Sequence, residues 1–298
     1  MSIKHPDELG HWKSDRDERE FRSLVDDLAT EEWSPLPASS SVPTSVGDVV
    51  VHHAADGDRP PAVLLPGFGA PALMYRPELV RAIGDRPVHL VETVGDVGPS
   101  RQTAPIRCAD DEARWLGELL DGLRLDRAHM VGTSFGGWLA LNLALRTPDR
   151  VCSVVGIEPV WQRLSLPTML RGLPVLLAAL APNAIRERAA VRYHQPLLID
   201  PRLRRLGRLA YTRFVNGHPR PEFLTNDQLG RINAPTLILH GSQSEITRPH
   251  RIRTRLGEVL PTAIVEVVPD AAHSLAIEHP LLIGQHIDNF LRNLDAAL

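Results

Sequence analysis

The stretch that decides the fold reads Ala128-His129-Met130-Val131-Gly132-Thr133-Ser134-Phe135-Gly136-Gly137. At its centre is a Gly-x-Ser-x-Gly motif, which directly follows an apolar run and directly precedes a helix-forming segment. A serine on such a strand-to-helix turn has a strained backbone, and only small neighbours leave room for it. Its hydroxyl then stands at a helix N-terminus, where free N–H groups stabilise a developing negative charge. The motif also occurs by chance, but the flanking strand and helix favour Ser134 as a nucleophile.

Apolar runs and helical segments alternate along most of the chain on either side of this motif. The apolar runs predict strands at residues 49–53, 62–65, 88–92, 129–131, 151–157, 236–240 and 263–268. Helices are predicted at residues 15–33, 110–123 and 280–294. Because each strand is nearly all apolar, both faces of the sheet must be covered, as in parallel sheets with helices on either side. The predicted fold class is therefore α/β.

Two segments interrupt the alternation and define the predicted domains. Residues 1–41 form a helical lead-in that ends in a connector rich in serine and proline, where regular structure is expected to break. Residues 161–228 contain several helical stretches rich in leucine and arginine and no convincing strand. This segment lies between two strands of one sheet, so it is predicted to be an inserted helical cap. The core then consists of residues 42–160 and 229–298.

Composition bounds the class of protein. The 298 residues are 43% hydrophobic and 23% charged, which is typical of a globular chain and not of a disordered one. A net charge of −3 provides no electrostatic reason to expect a nucleic-acid partner. The two cysteines, Cys108 and Cys152, match no metal-binding spacing, and we predict neither a metal nor a cofactor.

The same residues bear on the location of the protein. Unpaired cysteines fit a reducing compartment. No signal peptide is apparent at the N-terminus, and the most apolar stretch, residues 173–181, is too short to span a bilayer. We therefore predict a cytoplasmic protein without a membrane segment, whose partner is a small molecule. The sequence leaves a homodimer open.

A serine nucleophile needs a general base, and in the order nucleophile, acid, histidine this base comes late in the chain. Among the 13 histidines, His273 lies in the loop Asp270-Ala271-Ala272-His273-Ser274, directly after the predicted strand 263–268. A loop at the carboxyl end of a strand would deliver its imidazole to the serine. Other histidines lie in or near early strands or at a helix start. We predict His273 as the base, against the alternative of a solvated loop histidine.

Acyl-transfer chemistry also needs two backbone donors for an oxyanion. One is predicted to be the N–H of Phe135, the residue after the nucleophile. The other is expected in the loop Pro66-Gly67-Phe68-Gly69 that follows a predicted strand, with the N–H of Phe68 as the best candidate. A simple Gly/Pro turn is the alternative interpretation, and it is compatible, since a turn is what presents the donor.

Several of these motifs together resemble one superfamily. The matching stretches include Leu64-Leu65-Pro66-Gly67-Phe68, Val94-Gly95-Asp96-Val97-Gly98, Gly132-Thr133-Ser134-Phe135-Gly136, Ala234-Pro235-Thr236-Leu237-Ile238 and Ala272-His273-Ser274. The chain is similar to α/β-hydrolases, in particular to bacterial serine carboxylesterases with an N-terminal extension. The resemblance implies the α/β-hydrolase fold, a mostly parallel sheet with helices on both faces, and a nucleophile elbow at Ser134. It does not specify a substrate.

The chain departs from the family pattern at the oxyanion loop, where Pro66 replaces the usual histidine, and more seriously at the catalytic acid. The position that usually carries an aspartate is Ser244, and a hydroxyl supplies no charge to an imidazolium. Two carboxylates could replace it. Glu245 is adjacent, and Glu158 lies 24 residues after Ser134, where one branch of haloalkane dehalogenases carries its acid. A triad without an acid is the third alternative.

The leading functional hypothesis is hydrolysis of a carboxylic ester or thioester with a small to medium apolar acyl group, through an acyl-enzyme. Serine at the elbow disfavours chemistry that needs a carboxylate nucleophile. The missing acid at Ser244 motivates a second hypothesis, a tailoring enzyme that performs lactonisation, transacylation, elimination or cyclisation. A non-catalytic ligand-binding homologue is a third, which the intact Ser134 and His273 disfavour.

Overall fold

The computed structural model of the protein describes residues 7–160, 177–178, 181–193, 195, 198–244, 249–260 and 262–296. The strands are β1 (His11–Trp12), β2 (Ala38–Thr44), β3 (Gly47–Ala55), β4 (Ala62–Leu65), β5 (Val88–Val91), β6 (Arg101–Gln102), β7 (Ala128–Thr133), β8 (Val151–Ile157), β9 (Phe214–Val215), β10 (Thr236–Gly241) and β11 (Ala263–Val268). The α-helices are α1 (Asp15–Glu32), α2 (Pro77–Ala82), α3 (Ala109–Gly122), α4 (Phe135–Arg146), α5 (Asn183–Tyr193), α6 (Pro201–Arg213), α7 (Asn226–Gly230), α8 (Pro249–Val259), α9 (Leu275–Glu278) and α10 (Pro280–Asp295).

One sheet organises the described residues. Its strand order is β11-β10-β8-β7-β4-β5-β3-β2, with β6 paired to β3. The strands from β11 to β5 pair in parallel, whereas β2, β3 and β6 pair antiparallel. The central strands are mostly apolar, and all four residues of β4 are buried, because helices cover both faces. The prediction of an α/β fold with a mostly parallel sheet is confirmed.

Two apolar clusters fill the space between the sheet and its helices. On one face, Trp115 of α3 and Trp138 of α4 are fully buried against β4 and β7. On the other face, Leu79 of α2 and Ile283 of α10 pack against β5 and β8. Burying each such side chain stabilises the fold by roughly 1.5–3 kcal/mol. None of the described helices is long and apolar enough to cross a membrane.

Four strands were not predicted from the sequence: the two-residue strands β1, β6 and β9 and the seven-residue strand β2. Ala38–Thr44 forms the edge strand β2, paired with β3, although residues up to 41 were predicted as a connector without regular structure. An edge strand needs few apolar residues and tolerates proline, so composition did not reveal it. Within the predicted cap, Phe214–Val215 forms β9 and pairs with β1, where no strand was predicted. This ladder joins residues about 200 positions apart in the chain, a contact that no local pattern announces.

The described part of the predicted cap contains α5 and α6, as expected of a helical insertion. Residues 161–176, 179–180, 194 and 196–197 of this segment lie outside the described residues. The lead-in helix α1 packs directly on α6, and Phe21 and Leu28 share an apolar cluster with Leu206 and Leu209. Arg202 of α6 also binds Glu31 of α1 over 2.7 Å. Apolar packing and an ion pair therefore hold α6 against α1.

The end of α10 is held by a buried charge cluster. Asp295 accepts hydrogen bonds from Arg86 over 2.8 Å and from His129 over 3.2 Å, and the side chains of both donors are fully buried. Burial, and then the Arg86 guanidinium, lower the pKa of His129 to about 4. The imidazole is therefore neutral near pH 7, and Asp295 is the counter-ion of Arg86.

We expect Asp295→Ala to lower the free energy of unfolding by about 3 kcal/mol, because it leaves a buried guanidinium without its anion. The matched control is Arg22→Gln, which removes the exposed ion pair Arg22–Glu18 and should cost less than about 1 kcal/mol. Urea unfolding measures both values as shifts of the midpoint at constant slope. Equal midpoints for the two variants would show that the cluster does not hold α10.

Candidate active site

The loops after four parallel strands meet at one edge of the sheet. Ser134 follows β7, Glu158 follows β8, His273 lies in the loop after β11, and Phe68 lies in the loop after β4. The carboxyl ends of parallel strands open on the same edge, so residues far apart in the chain become neighbours there. The structure thus places every described residue of the predicted site at this edge.

Ser134 occupies a strained turn between β7 and α4. Its φ is +52° and its ψ is −108°, a conformation that non-glycine residues rarely adopt. The turn is possible because its glycines allow close backbone approach: a Cβ built on Gly136 would lie 2.1 Å from the Leu65 carbonyl oxygen. The Ser134 N–H donates to the Ile157 carbonyl over 2.9 Å, which ties the turn to β8. The hydroxyl is therefore presented at the start of α4, as the motif predicts.

Glu158 and His273 come together across 115 residues of chain. The Glu158 Oε2 atom lies 3.4 Å from the His273 Nδ1 atom. Only 1% of the Glu158 side chain is exposed, against 28% for His273, so the carboxylate lies behind the imidazole and away from solvent. Glu158 itself has a φ of +49°, so the chain turns sharply between the end of β8 and Pro159. This is the arrangement that the sequence analysis expected if Glu158 is the acid.

Further donors hold Glu158 in its ionised form. Its Oε1 atom accepts the Gly241 N–H over 2.8 Å and lies 3.0 Å from His240 Nδ1, and its Oε2 atom accepts the Ser244 hydroxyl over 2.7 Å. Burial by itself raises the pKa of Glu158, but the hydrogen bonds from His240 and His273 outweigh it and bring the pKa down to about 2. The carboxylate is therefore negatively charged throughout the physiological range.

Ser244 has a role that sequence reasoning missed. It stands where the family usually carries its acid, and the sequence alone shows only a missing carboxylate there. In the structure its hydroxyl donates to Glu158, so the position still serves the histidine, through the acid of the neighbouring strand. The sequence left this exchange of acid positions open, since it offered Glu158 as a replacement, but it did not reveal the hydrogen bond from Ser244 to Glu158. The alternative acid Glu245 lies outside the described residues.

The two candidate oxyanion donors flank the serine. Phe135 is the first residue of α4, a position whose N–H has no partner within its own helix. On the other side, a Cβ built on Gly67 would lie 3.5 Å from Ser134 Cβ, so the loop that carries Phe68 lies against Ser134. The Phe68 and Phe135 rings meet edge to face, with centroids 5.9 Å apart.

Buried polar groups support these loops, and sequence analysis singled out none of them. The Tyr75 hydroxyl donates to the Leu65 carbonyl over 2.7 Å and contacts the Thr133 hydroxyl at 2.9 Å, joining the ends of β4 and β7. Burial raises the pKa of Tyr75 well above its usual range. His218 packs its ring 4.9 Å from that of Phe135 and contacts Glu112 over 2.8 Å. These pairs arise from contacts between distant segments, which short motifs do not encode.

A cleft of about 1140 Å³ lies between part of the predicted cap and the segment that follows His273. Its lining includes Gln195, Ile199, Ile277 and His279. The Ser274 hydroxyl, next to His273, is 3.4 Å from the Gln195 side-chain oxygen, which marks where the cleft approaches the site. Among the described residues, no group of three or more His, Cys, Asp or Glu side chains could hold a metal ion.

The sequence profile of the Alpha/beta hydrolase family matches residues 62–283, about three quarters of the chain and all of the strands that carry the site. The chain belongs to the alpha/beta hydrolase family. This hydrolase is 25% identical to the uncharacterized carboxylesterase nap of Bacillus subtilis (strain 168), over 93% of each chain. It is 26% identical to the carboxylesterase YbfK of the same organism, over 87% of this chain and 89% of that protein.

A solved structure shows the same fold. The naproxen esterase (carboxylesterase NP) from Bacillus subtilis superposes on this hydrolase with a TM-score of 0.79 at 24% identity, covering 93% of this chain and 98% of that chain. The prediction of an α/β-hydrolase similar to bacterial carboxylesterases is confirmed. The roles of individual residues remain predictions, which the geometry described above supports.

Proposed function

We propose that this hydrolase cleaves carboxylic esters of small-molecule acyl substrates through an acyl-enzyme. Ser134 is the nucleophile, His273 the general base, and Glu158 the acid that orients the histidine. The observation that carries the proposal is the contact between Glu158 and His273 at the sheet edge where the strained turn presents Ser134. The carboxylesterase relatives support the same enzyme class.

The reaction has two halves. The Ser134 hydroxyl attacks the ester carbonyl carbon while His273 Nε2 takes its proton, and the resulting oxyanion is stabilised by the N–H groups of Phe68 and Phe135. The intermediate collapses as His273 gives this proton to the leaving alcohol, which departs and leaves an acyl-Ser134 ester. A water then attacks the acyl carbon, with His273 again accepting and returning the proton, and the carboxylic acid leaves.

Glu158 determines which nitrogen of His273 carries the proton. With the carboxylate at Nδ1, the imidazole donates its Nδ1–H there and keeps Nε2 free to accept the serine proton. Glu158 also stabilises the imidazolium that forms in each half-reaction. Its pKa of about 2 supports this role, because an ionised acceptor is needed at every pH at which the histidine is a base.

The cap is proposed to shape the substrate site. We assign residues 161–228 to the cap, residues 42–160 and 229–298 to the core, and residues 1–41 to the lead-in, as the sequence analysis expected. Aromatic rings of the core and the cap meet beside Ser134, where the Phe68 ring stacks on that of Tyr211 with centroids 6.4 Å apart. Such a wall favours a small to medium apolar acyl group, carried as an ester or a thioester.

The competing hypotheses are less well supported. The tailoring reactions, which are lactonisation, transacylation, elimination and cyclisation, were motivated by the missing carboxylate at Ser244. Since Glu158 lies at His273, that motivation is removed. A non-catalytic homologue would not need a strained serine, an ionised acid and a histidine at one sheet edge.

The proposal extends to location and partners. We place the enzyme in the cytoplasm, because Cys108 and Cys152 are both free thiols, as a reducing compartment maintains them. The net charge of −3 supports a small-molecule partner over nucleic acid. A homodimer stays a prediction, which light scattering of the purified protein can test.

The function is tested by labelling and product analysis. A fluorophosphonate probe is expected to modify one serine, which peptide mapping identifies as Ser134, and a panel of short and medium acyl esters is expected to be hydrolysed. In H₂¹⁸O, hydrolysis places one ¹⁸O atom in the acid product, as mass spectrometry detects. Transfer of the acyl group to another acceptor, with no free acid, would favour a tailoring enzyme, and absence of labelling would overturn the serine-hydrolase proposal.

A further inference from the structure

We propose that Asp96 and Tyr211 are positioning residues that hold the loop of residues 66–70 from two sides, so that the Phe68 N–H stays directed at the oxyanion. The inference rests on the proposed function, in which that N–H is one of the two oxyanion donors. Neither residue reacts with the substrate. Both bind the Phe68–Gly69 peptide, which is adjacent to the peptide that carries the Phe68 N–H.

The loop that carries Phe68 is a tight turn. The Ala70 N–H donates to the Gly67 carbonyl over 3.1 Å, which places Phe68 and Gly69 at the centre of the turn. Gly69 has a φ of +74°, the value that a type II turn requires at this position and that glycine adopts without strain. The Gly67 carbonyl points into the turn, so in the trans peptide the Phe68 N–H points out of it.

Asp96 binds the turn from the core side. Its Oδ2 atom accepts the Gly69 N–H over 2.8 Å, and its Oδ1 atom accepts the Val97 N–H over 2.8 Å. Only 5% of Asp96 is exposed. Burial raises the pKa of Asp96, and the nearby His218 and the two N–H donors partly offset this effect. A carboxyl group is costly to bury, so its placement between two backbone N–H groups indicates a need to hold this backbone.

Tyr211 binds the same peptide group from the cap side. Its hydroxyl donates to the Phe68 carbonyl over 3.1 Å, and its ring stacks on the Phe68 ring at an interplanar angle of 21°. The Phe68 carbonyl and the Gly69 N–H belong to one peptide plane. Tyr211 and Asp96 therefore fix its two ends. This plane is joined at the Phe68 Cα to the Gly67–Phe68 peptide, which carries the Phe68 N–H, so holding it limits the rotation of that N–H away from the oxyanion.

The tyrosine comes from a helix that is itself fixed. Tyr211 lies in α6, which packs on the lead-in helix α1, and the Lys13 N–H donates to the Arg213 carbonyl over 2.9 Å. A Cβ built on Gly69 would lie 3.3 Å from Ala210 Cβ, so α6 sits directly against the turn. The cap thus contributes to the oxyanion site through α6, in addition to shaping the substrate pocket.

The test compares Asp96→Ala, Asp96→Asn and Tyr211→Phe with the wild type, using p-nitrophenyl esters and a trifluoromethyl ketone that adds to the serine and forms an oxyanion. We expect Asp96→Ala to lower kcat about 100-fold, close to the loss of one oxyanion donor, with KM changed less than about threefold. Asp96→Asn retains one acceptor oxygen and should recover part of the loss. Tyr211→Phe should lower kcat about threefold to tenfold, since its hydrogen bond is exposed.

The inhibitor separates positioning from general damage. The affinity of the inhibitor should fall in parallel with kcat in each variant. The control is Asp111→Asn, which alters a carboxylate that also accepts a backbone N–H, that of Arg107, and it should change neither kcat nor the inhibitor affinity. Unchanged kcat and inhibitor affinity in the folded Asp96→Asn and Tyr211→Phe variants would overturn the inference, even if Asp96→Ala does not fold. So would a loss of kcat without a loss of inhibitor affinity. A wild type that fails to react with a fluorophosphonate would instead overturn the proposed function itself.

Discussion

Ser134→Ala is expected to lower kcat by about 10⁶ and to abolish acyl-enzyme formation. The reason is that, among the described residues, no other side chain at this sheet edge lies on a strained turn at the start of a helix, and triad members act as a unit. His273→Ala should cause a similar loss, since the base and the nucleophile depend on each other. Ester hydrolysis measures the rate, and mass spectrometry of the quenched enzyme detects the acyl adduct.

The control for this experiment is a second serine that contacts a histidine. The Ser40 hydroxyl lies 2.8 Å from His53 Nε2. Ser40 belongs to β2, the last strand of the sheet on the side away from β11, and Ser40→Ala is expected to retain full activity. Circular dichroism should show both variants folded. Hydrolysis by Ser134→Ala at a rate near that of the wild type would contradict the assignment of the nucleophile, whatever the behaviour of the control.

Glu158→Gln is expected to lower kcat by about 10⁴ with the fold intact. An amide cannot stabilise the imidazolium, and it presents an N–H or a carbonyl where the histidine needs an anion, so the wrong tautomer is populated. Because the pKa of Glu158 is about 2, the wild-type carboxylate is ionised at every practical assay pH. The loss in the variant should therefore be nearly constant from about pH 6 to about pH 9.

Two comparisons sharpen this prediction. Glu266 of β11 also contacts a histidine, His286, over 2.5 Å. Glu266→Gln removes this carboxylate and should leave kcat unchanged. Glu245→Gln should also cost little if Glu158 is the acid, because His273 already has a carboxylate at its Nδ1 atom. If Ser244→Asp restores part of the activity of Glu158→Gln, an acid at the usual family position can replace the one after β8. Full activity in both Glu158→Gln and Glu245→Gln would show that neither carboxylate completes a triad.

Much of this protein is determined by local sequence. The Gly-x-Ser-x-Gly turn needs only its own glycines, the apolar run before it and the helix after it, so Ser134 is readable from ten residues. Burial of the sheet on both faces is also predicted locally, because each strand is mostly apolar in its own sequence. The prediction of His273 as the base rests on its late place in the chain and on its position in the loop after β11.

Only the tertiary structure decided which of these distant residues contact one another. Glu158 lies 115 residues from His273 and 86 residues from Ser244, so its choice as the partner of the histidine depends on how the turns after β8 and β10 face each other. The same holds for Asp96 and Tyr211, which lie far apart in the chain and bind the same peptide group, Phe68–Gly69. Such contacts form when the strands pair and α1 packs on α6. The free energy of a hydrogen bond between distant segments depends on burial and geometry that no single stretch of sequence contains.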